Sequence, residues 1–233
     1  MSIQLITFDL DDTLWSVQPV IAQAEQRLQE WLAQQAPHLG VVDVPRLHSL
    51  RAAVLRQTPE LVHRVSELRY QVLLSACLEA GDALPVAQET AEAAFQVFLS
   101  ARQNVQLYAD AKPVLGQLAQ SFVLGALSNG NADVRRVGLA DYFSFALSAD
   151  ALGVSKPDPS VFQAALARAQ IPAQRAVHIG DNPHDDIFGA QRVGMRTIWF
   201  NPQQQPWQGE RAPDAQVQSL SQLPQTLLAL QQE

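Results

Sequence analysis

Apolar positions change their spacing twice along this chain. A short apolar run begins at Leu5 and stops at three acidic residues, Asp9, Asp11 and Asp12, which is typical of a buried strand that ends in a polar loop. From Trp15 to about residue 105 apolar residues recur at helical spacing. Beyond that point helical segments alternate with short apolar runs. The pattern predicts one strand, a long helical insertion and then an α/β region.

The helical stretch divides into four segments, which predicts a four-helix bundle spanning residues 16–105. We interpret it as a cap domain inserted after the first strand, because a structureless connection of this length would be unusual. The third predicted helix has Thr58 as N-cap, Pro59 at its first position and Gly81 at its end, and the fourth spans residues 85–102. The first two are recognised by their apolar faces: Val17, Ile21, Leu28, Trp31 and Leu32 in the first, and Val44, Leu47, Leu50, Val54 and Leu55 in the second.

The alternating region predicts a Rossmann-like, doubly wound parallel sheet covered by helices. Together with the first strand it gives a catalytic core of residues 1–15 and 106–233. Residues 201–214 are rich in Gln and Pro and predict a surface loop. We expect strands at 122–127, 143–147, 176–179 and 197–200, and helices around Val114, over Ser160–Ala169 after an Asp158 cap, and over 223–230.

Composition narrows the class of protein. The chain has 233 residues, 47% of them hydrophobic, which is enough for a full core with an insert. A net charge of −7 argues against a nucleic-acid binder. No apolar run is long enough to span a bilayer, and the single cysteine, Cys77, excludes an intrachain disulfide. We expect a cytoplasmic monomer or homodimer without a membrane partner.

Polar residues follow three of the apolar runs: Asp9 and Asp11, then Ser128 and Asn129, then Asp181. In parallel α/β sheets ligands bind outside the carboxyl ends of the strands, so these residues are expected to converge. A carboxylate at a strand end can attack phosphorus, and a second one two residues on can exchange protons with the leaving group and water. We therefore predict Asp9 as nucleophile and Asp11 as acid/base.

The remaining polar groups suit a phosphate. Ser128 and the backbone N–H of Asn129 can donate hydrogen bonds to it, and Lys156 can neutralise its charge. Thr13 is expected to order the loop and to donate as well. Taken singly, Ser128 is more often a turn residue and Lys156 a solvated side chain. The order of the acidic residues, the serine and the lysine along the chain, at the ends of predicted strands, favours a functional role over these alternatives.

Four or five carboxylates beside one lysine favour a bound cation, with a shared proton or a solvated acidic turn as the alternatives. With hard oxygen ligands and no cysteine thiolate set, Mg²⁺ is expected rather than zinc. The predicted ligands are Asp9, the backbone carbonyl of Asp11, Asp181, and one or both of Asp185 and Asp186. The alternative for either member of the last pair is a helix cap.

These residues carry a resemblance. FDLDDTLW, ALSNG, SKPDP and HIGDNPHDDIFGA resemble, in order, the four motifs of the haloacid dehalogenase superfamily. The resemblance implies the roles above for Asp9, Asp11, Ser128, Lys156 and Asp181, and Asp186 fits the last acidic position better than Asp185. It also implies a phosphatase, because dehalogenases of this fold lack an acid at the position of Asp11.

Two further stretches, HRVSELRYQVL and ALSNGNADVRRVGLADYF, are similar to bacterial phosphatases that act on FMN and on the riboflavin precursor 5-amino-6-(5-phosphoribitylamino)uracil. The expected partner is thus a small phosphorylated metabolite, with phosphoglycolate or a sugar phosphate as the alternative. A 2-haloacid dehalogenase and a phosphoacceptor signalling module are the rival classes.

Three smaller expectations complete the sequence-based interpretation. Arg69 lies in the first of these two stretches and could meet a substrate, but an arginine paired with a neighbouring carboxylate is the favoured interpretation. No catalytic part is assigned to His178 or His184. The Lys156–Pro157 peptide bond is expected to be cis, since proline permits it.

Overall fold

The computed structural model describes residues 2–40 and 44–232. Residues 1 and 233, the outer bounds predicted for the core, lie outside this part, as does the side chain of Val44. The chain forms two compact units, one built from the segment up to Ser16 and the segment from Gln106, the other from Val17–Val105. None of the helices in the described ranges is long and apolar enough to cross a membrane.

A parallel sheet organises the first unit, which confirms the predicted fold class. Six strands of the described residues form it: β1 (Leu5–Phe8), β2 (Val123–Ser128), β3 (Phe145–Ser148), β4 (Ala176–Gly180), β5 (Arg196–Phe200) and β6 (Ala215–Val217). They lie in the order β3-β2-β1-β4-β5-β6, and every neighbouring pair is parallel. The chain winds outward from β1 to one side and then from β4 to the other, so the switch point lies between these two central strands.

Helices accompany the sheet. The predicted cap of α7 (Pro159–Ala169) is confirmed, because the Asp158 side chain accepts a hydrogen bond from the Ser160 N–H and Pro159 stands at the first helical position. The helices are α5 (Ala111–Ala119), α6 (Ala149–Leu152), α7 (Pro159–Ala169), α8 (Gly189–Arg192) and α9 (Leu223–Gln232), with a π-helix at Pro183–Phe188 before α8.

The second unit is helical, as predicted, and buries its own apolar core, to which Leu28, Leu68, Cys77 and Phe98 contribute. Its α-helices in the described residues are α1 (Val17–Gln35), α2 (Val44–Gln57), α3 (Val65–Glu79) and α4 (Leu84–Arg102).

The predicted start of the third helix was wrong. Pro59–His63 forms a separate 3₁₀ turn, the Thr58 side chain makes no capping hydrogen bond, and α3 begins at Val65. Arg64, with φ −115° and ψ 75°, has a non-helical backbone and separates the two. Gly81 does follow the helix end, with φ +96°.

Two strands also differ from expectation. β3 begins at Phe145 rather than at residue 143, and β6 was missed. β6 has only three residues and follows a polar loop, so its sequence carries little strand signal. It exists because the edge of β5 is available for pairing, which continues into the hydrogen bond from the Asn201 N–H to the Val217 carbonyl.

Candidate active site

The carboxyl ends of the central strands surround a pocket of about 170 Å³ in the first unit. Eight of the nine candidate site residues line it, although they come from four separate stretches of chain. The ninth, Thr13, lies buried beside Asp9 and Asp181. The lining residues are Asp9, Asp11, Asp12, Ser128, Asn129, Gly130, Lys156, Asp181, Asn182, Asp185 and Asp186.

Lys156 links two carboxylates at the base of the pocket. Its Nζ lies 2.6 Å from Asp9 Oδ1 and 2.6 Å from Asp186 Oδ1, and it also donates to the Leu127 carbonyl at 2.9 Å. Burial alone would lower the pKa of Lys156, but Asp186 and Asp9 outweigh it and raise that pKa. The ammonium group is therefore fixed in its charged form.

The carboxylates carry more negative charge than one lysine can balance. Burial raises the pKa of Asp9, with Asp186 and Asp181 adding to the rise against the effect of Lys156. Burial, followed by Asp186 and Asp12, raises the pKa of Asp181 to about 7. At Asp186 burial acts in the same direction, but Lys156 and His178 overcome it and lower the pKa. The protein alone therefore disfavours full ionisation of Asp9 and Asp181.

This donor set fits a divalent cation. Asp9, Asp181 and Asp186 each offer a carboxylate oxygen, and the three oxygens lie within 4.8 Å of one another. Hard oxygens that are short of positive charge are the ligands preferred by Mg²⁺. The residues that would hold the cation are thus already together in the folded chain.

Asp11 and Thr13 occupy the loop that leaves β1. Asp11 Oδ1 accepts a hydrogen bond of 2.9 Å from Nε1 of Trp15, which is fully buried, so the indole holds this carboxylate at the pocket. Thr13 Oγ1 lies 3.2 Å from Asp9 Oδ2 and 3.3 Å from Asp181 Oδ1. The hydroxyl has one proton, so it donates to one of these two oxygens at a time. Either hydrogen bond holds the loop against a strand end, that of β1 at Asp9 or that of β4 at Asp181.

Ser128 and Asn129 follow β2. Ser128 Oγ accepts a hydrogen bond from the Gly130 N–H. The Asn129 side chain bonds the main chain of Lys156 in both directions, with Oδ1 accepting from the N–H at 2.8 Å and Nδ2 donating to the carbonyl at 3.0 Å. The Lys156–Pro157 peptide bond is cis, as predicted. The Asn129 side chain thus fixes the main chain that presents Lys156.

The π-helix separates the roles of the two acidic candidates after β4. Asn182 caps it, accepting hydrogen bonds from the N–H groups of His184 and Asp185. Asp186 is buried against Lys156, whereas Asp185 accepts from Asn129 Nδ2 at 3.2 Å and contacts His184 Nδ1 at 3.0 Å. Asp186 therefore joins the carboxylate cluster and Asp185 lies beside it.

Gly180 makes room for Asp186. A Cβ at residue 180 would lie 2.2 Å from Asp186 Cγ, closer than unbonded atoms allow. Glycine is required here for close approach of the backbone to the carboxylate.

Thr7 and His178 were not predicted as site residues. Both are fully buried, and His178 Nε2 lies 3.0 Å from Asp186 Oδ1. The signal in the sequence is their position: each is a polar residue in an apolar strand, two residues before Asp9 or Gly180, and so on the same face of the strand.

Arg69, in the second unit, contacts protein groups. Its Nη1 lies 2.8 Å from Glu25 Oε1, and its guanidinium lies 3.5 Å from the ring centroid of Phe98. The favoured interpretation of an arginine paired with a neighbouring carboxylate is confirmed.

Several known proteins are similar to this chain over most of its length. The 5-amino-6-(5-phospho-D-ribitylamino)uracil phosphatase YigB of Escherichia coli K12 is 33% identical over 225 residues, covering 95% of this chain and 94% of that protein. A phosphoserine phosphatase of Thermus thermophilus is 31% identical over 244 residues, covering 93% and 96%.

A crystal structure described as a 2-haloacid dehalogenase from Pseudomonas syringae pv. Tomato DC3000 is 52% identical, with a TM-score of 0.96 and coverage of 98% of this chain and 99% of that chain. A family model for haloacid dehalogenase-like hydrolases matches residues 3–194, which include every pocket-lining residue. The chain belongs to the haloacid dehalogenase-like hydrolase family.

Proposed function

We propose that this hydrolase is a Mg²⁺-dependent phosphomonoester hydrolase that works through an aspartyl-phosphate on Asp9. One observation carries the proposal: a buried carboxylate, Asp9, lies 2.6 Å from the Lys156 ammonium in a pocket that a second carboxylate, Asp11, also lines. Nucleophile, positive charge and proton carrier are thus within one small volume.

In the first half-reaction an oxygen of Asp9 attacks phosphorus and the bond from phosphorus to the ester oxygen breaks. Asp11 gives its proton to that oxygen, so the alcohol leaves neutral. In the second half-reaction Asp11 takes a proton from water, whose oxygen attacks phosphorus. The bond from phosphorus to the Asp9 oxygen breaks, so inorganic phosphate leaves and the Asp9 carboxylate is restored. Trp15 keeps Asp11 oriented at the pocket for both proton transfers.

Charge on the phosphoryl oxygens has several partners in the pocket. Lys156 supplies one positive charge, and Ser128 and the backbone N–H of Asn129 are the proposed hydrogen-bond donors. All three residues line the pocket. Asp9, the Asp11 carbonyl, Asp181 and Asp186 would hold the Mg²⁺. When bound, the cation supplies the positive charge that offsets these carboxylates and the phosphate dianion.

The substrate is proposed to be a small phosphorylated metabolite. The similarity to YigB along nearly the whole chain favours the 5-amino-6-(5-phospho-D-ribitylamino)uracil of that relative's name. FMN is included because of the resemblance of the two sequence stretches, and a phosphoglycolate or sugar-phosphate substrate is the alternative. Residues 17–105, the helical unit, are proposed to act as the cap that selects among them.

A second candidate is a 2-haloacid dehalogenase, favoured by the described activity of the 52% identical structure. The chemistry of the pocket argues against it. Chloride leaves carbon without needing a proton, so Asp11 would have no task as an acid in that reaction, whereas an alkoxide leaving phosphorus needs one.

Phosphate release from a panel of phosphomonoesters, including FMN and the riboflavin precursor, tests the proposal with Mg²⁺ and with a chelator. Chloride release from L-2-chloropropionate in chelator is assayed in parallel. We expect Mg²⁺-dependent phosphate release and no chloride. Metal-independent chloride release, or a long-lived phosphoryl adduct without turnover as in a signalling module, would contradict the proposal.

A further inference from the structure

Behind the pocket, a chain of buried hydrogen bonds connects the two central strands to Lys156. Thr7 of β1 and His178 of β4 are register partners, and Thr7 Oγ1 lies 2.8 Å from His178 Nδ1. His178 Nε2 lies 3.0 Å from Asp186 Oδ1, which in turn accepts from Lys156 Nζ at 2.6 Å. The Thr7 and His178 side chains have no exposed surface.

The contacts define which ring nitrogen of His178 carries the proton. An ionised carboxylate only accepts hydrogen bonds, so the nitrogen facing Asp186, Nε2, is the donor. Nδ1 of a neutral ring then accepts, and the Thr7 hydroxyl is its donor, because its 2.8 Å contact with Nδ1 is much shorter than its 3.5 Å contact with the Val177 carbonyl. Phe162 of α7 packs edge-on against the imidazole, with ring centroids 5.2 Å apart, so the ring is held on that side as well.

The hydrogen bonds of Asp186 leave one acceptor position of its carboxylate available. A carboxylate has about four acceptor positions. Among the described residues, Lys156 and His178 share Oδ1, and the Asn182 N–H takes one position on Oδ2 at 3.0 Å. The spare position is therefore on Oδ2.

We propose that His178 is a positioning residue whose Nε2–H, set in that tautomer by Thr7, orients Asp186 so that Oδ1 anchors Lys156 and Oδ2 remains for the divalent cation. The inference rests on the proposed metal-dependent function. It assigns a role to two residues that touch neither substrate nor cation. Partners of this kind typically change metal affinity by roughly 10- to 100-fold when removed.

Amide side chains of two lengths provide a matched test. In His178→Gln the amide nitrogen reaches the place of Nε2 and can still donate to Asp186. In His178→Asn the amide nitrogen reaches only the place of Nδ1 and cannot donate to Asp186. Mg²⁺ affinity is measured by titration calorimetry without substrate, and unfolding temperatures in chelator report on packing.

We expect His178→Gln to bind Mg²⁺ within about 3-fold of the wild type and His178→Asn to bind it roughly 10- to 100-fold more weakly. Equal affinities for the two variants, whether both high or both low, would overturn the proposal. Thr7→Val and Thr7→Ser form a second pair, in which loss of affinity is expected for valine alone; a Thr7→Val protein with wild-type affinity overturns the role given to Thr7.

The titration also separates this inference from the proposed function. If the wild type binds Mg²⁺ but hydrolyses no phosphate ester, the variants still decide the role of His178. If His178→Asn keeps wild-type affinity in an active phosphatase, this inference alone fails.

Discussion

The carboxylate of Asp186 occupies the space that a side chain at residue 180 would need, with only 2.2 Å between Asp186 Cγ and the position of a Cβ on Gly180. Gly180→Ala must therefore displace Asp186, which is also held by Lys156 and His178. We expect a loss of about 1–3 kcal/mol in the free energy of unfolding, together with weakened Mg²⁺ binding. Chemical denaturation and calorimetric titration measure the two effects.

A matched control lies on α5. A Cβ on Gly116 would meet Tyr142 Cε1 at 3.5 Å, an ordinary contact, so Gly116→Ala should be neutral or stabilising by about 0.4–1 kcal/mol. If the Gly180→Ala protein proved as stable as the wild type and bound Mg²⁺ as tightly, the close approach would not be needed.

The nucleophile is tested by Asp9→Asn. The amide cannot form the acyl-phosphate, so turnover of p-nitrophenyl phosphate should fall by at least about 10³-fold. Asp186 still compensates Lys156 in this variant, so the protein should fold.

Asp12→Asn is the control for that loop. Asp12 has φ +58°, a conformation that asparagine accepts, and no catalytic part is assigned to it. Turnover within a few-fold of the wild type is expected. Full activity of Asp9→Asn would remove the basis of the mechanism.

Asp11→Asn should separate the two half-reactions. Nitrophenolate leaves without much help from an acid, but hydrolysis of the phosphoenzyme still needs a base. We expect a burst of nitrophenolate equivalent to the enzyme, followed by steady turnover lowered by roughly 10²- to 10⁴-fold. Stopped-flow absorbance measures both phases. Wild-type turnover of an alkyl phosphate by this variant would assign the proton transfers elsewhere.

Without a cation, stability should depend on pH through Asp181. Its pKa rises from 3.8 to about 7 on folding, so the folded chain binds more protons than the unfolded chain between these values. The contribution of Asp181 to stability in chelator is therefore largest below the lower value and is lost as the pH rises through about 7. The raised pKa of Asp9 acts in the same direction.

Thermal unfolding across this range, compared with Asp181→Asn, checks the sign. The stability of Asp181→Asn should fall much less than that of the wild type as the pH rises through this range. Saturating Mg²⁺ should restore the stability of the wild type above pH 7, because the cation binds the ionised carboxylates. A wild type in chelator that grows more stable from about pH 4 to 7, relative to Asp181→Asn, would contradict this account.

The central strands and the convergence of Asp9, Ser128, Lys156 and Asp181 could be predicted because buried apolar runs and strand-end polar residues are local signals. β6 could not, since three residues of mixed polarity owe their pairing to the neighbouring edge of β5. The task of the Asn129 side chain was also hidden, because its partner lies at Lys156, in a different loop.

The two stretches of chain that border the helical unit lie side by side within the first unit. Trp15 and Leu107 form an antiparallel bridge, and the Tyr108 N–H donates to the Leu14 carbonyl at 2.9 Å. Main-chain hydrogen bonds therefore join the segment before residue 17 to the segment after residue 105. Residues 17–105 are thus an insertion whose two ends lie next to each other. Under the role proposed for this unit in selecting the substrate, swapping this one contiguous segment between relatives should exchange substrate preference and leave the pocket residues in place.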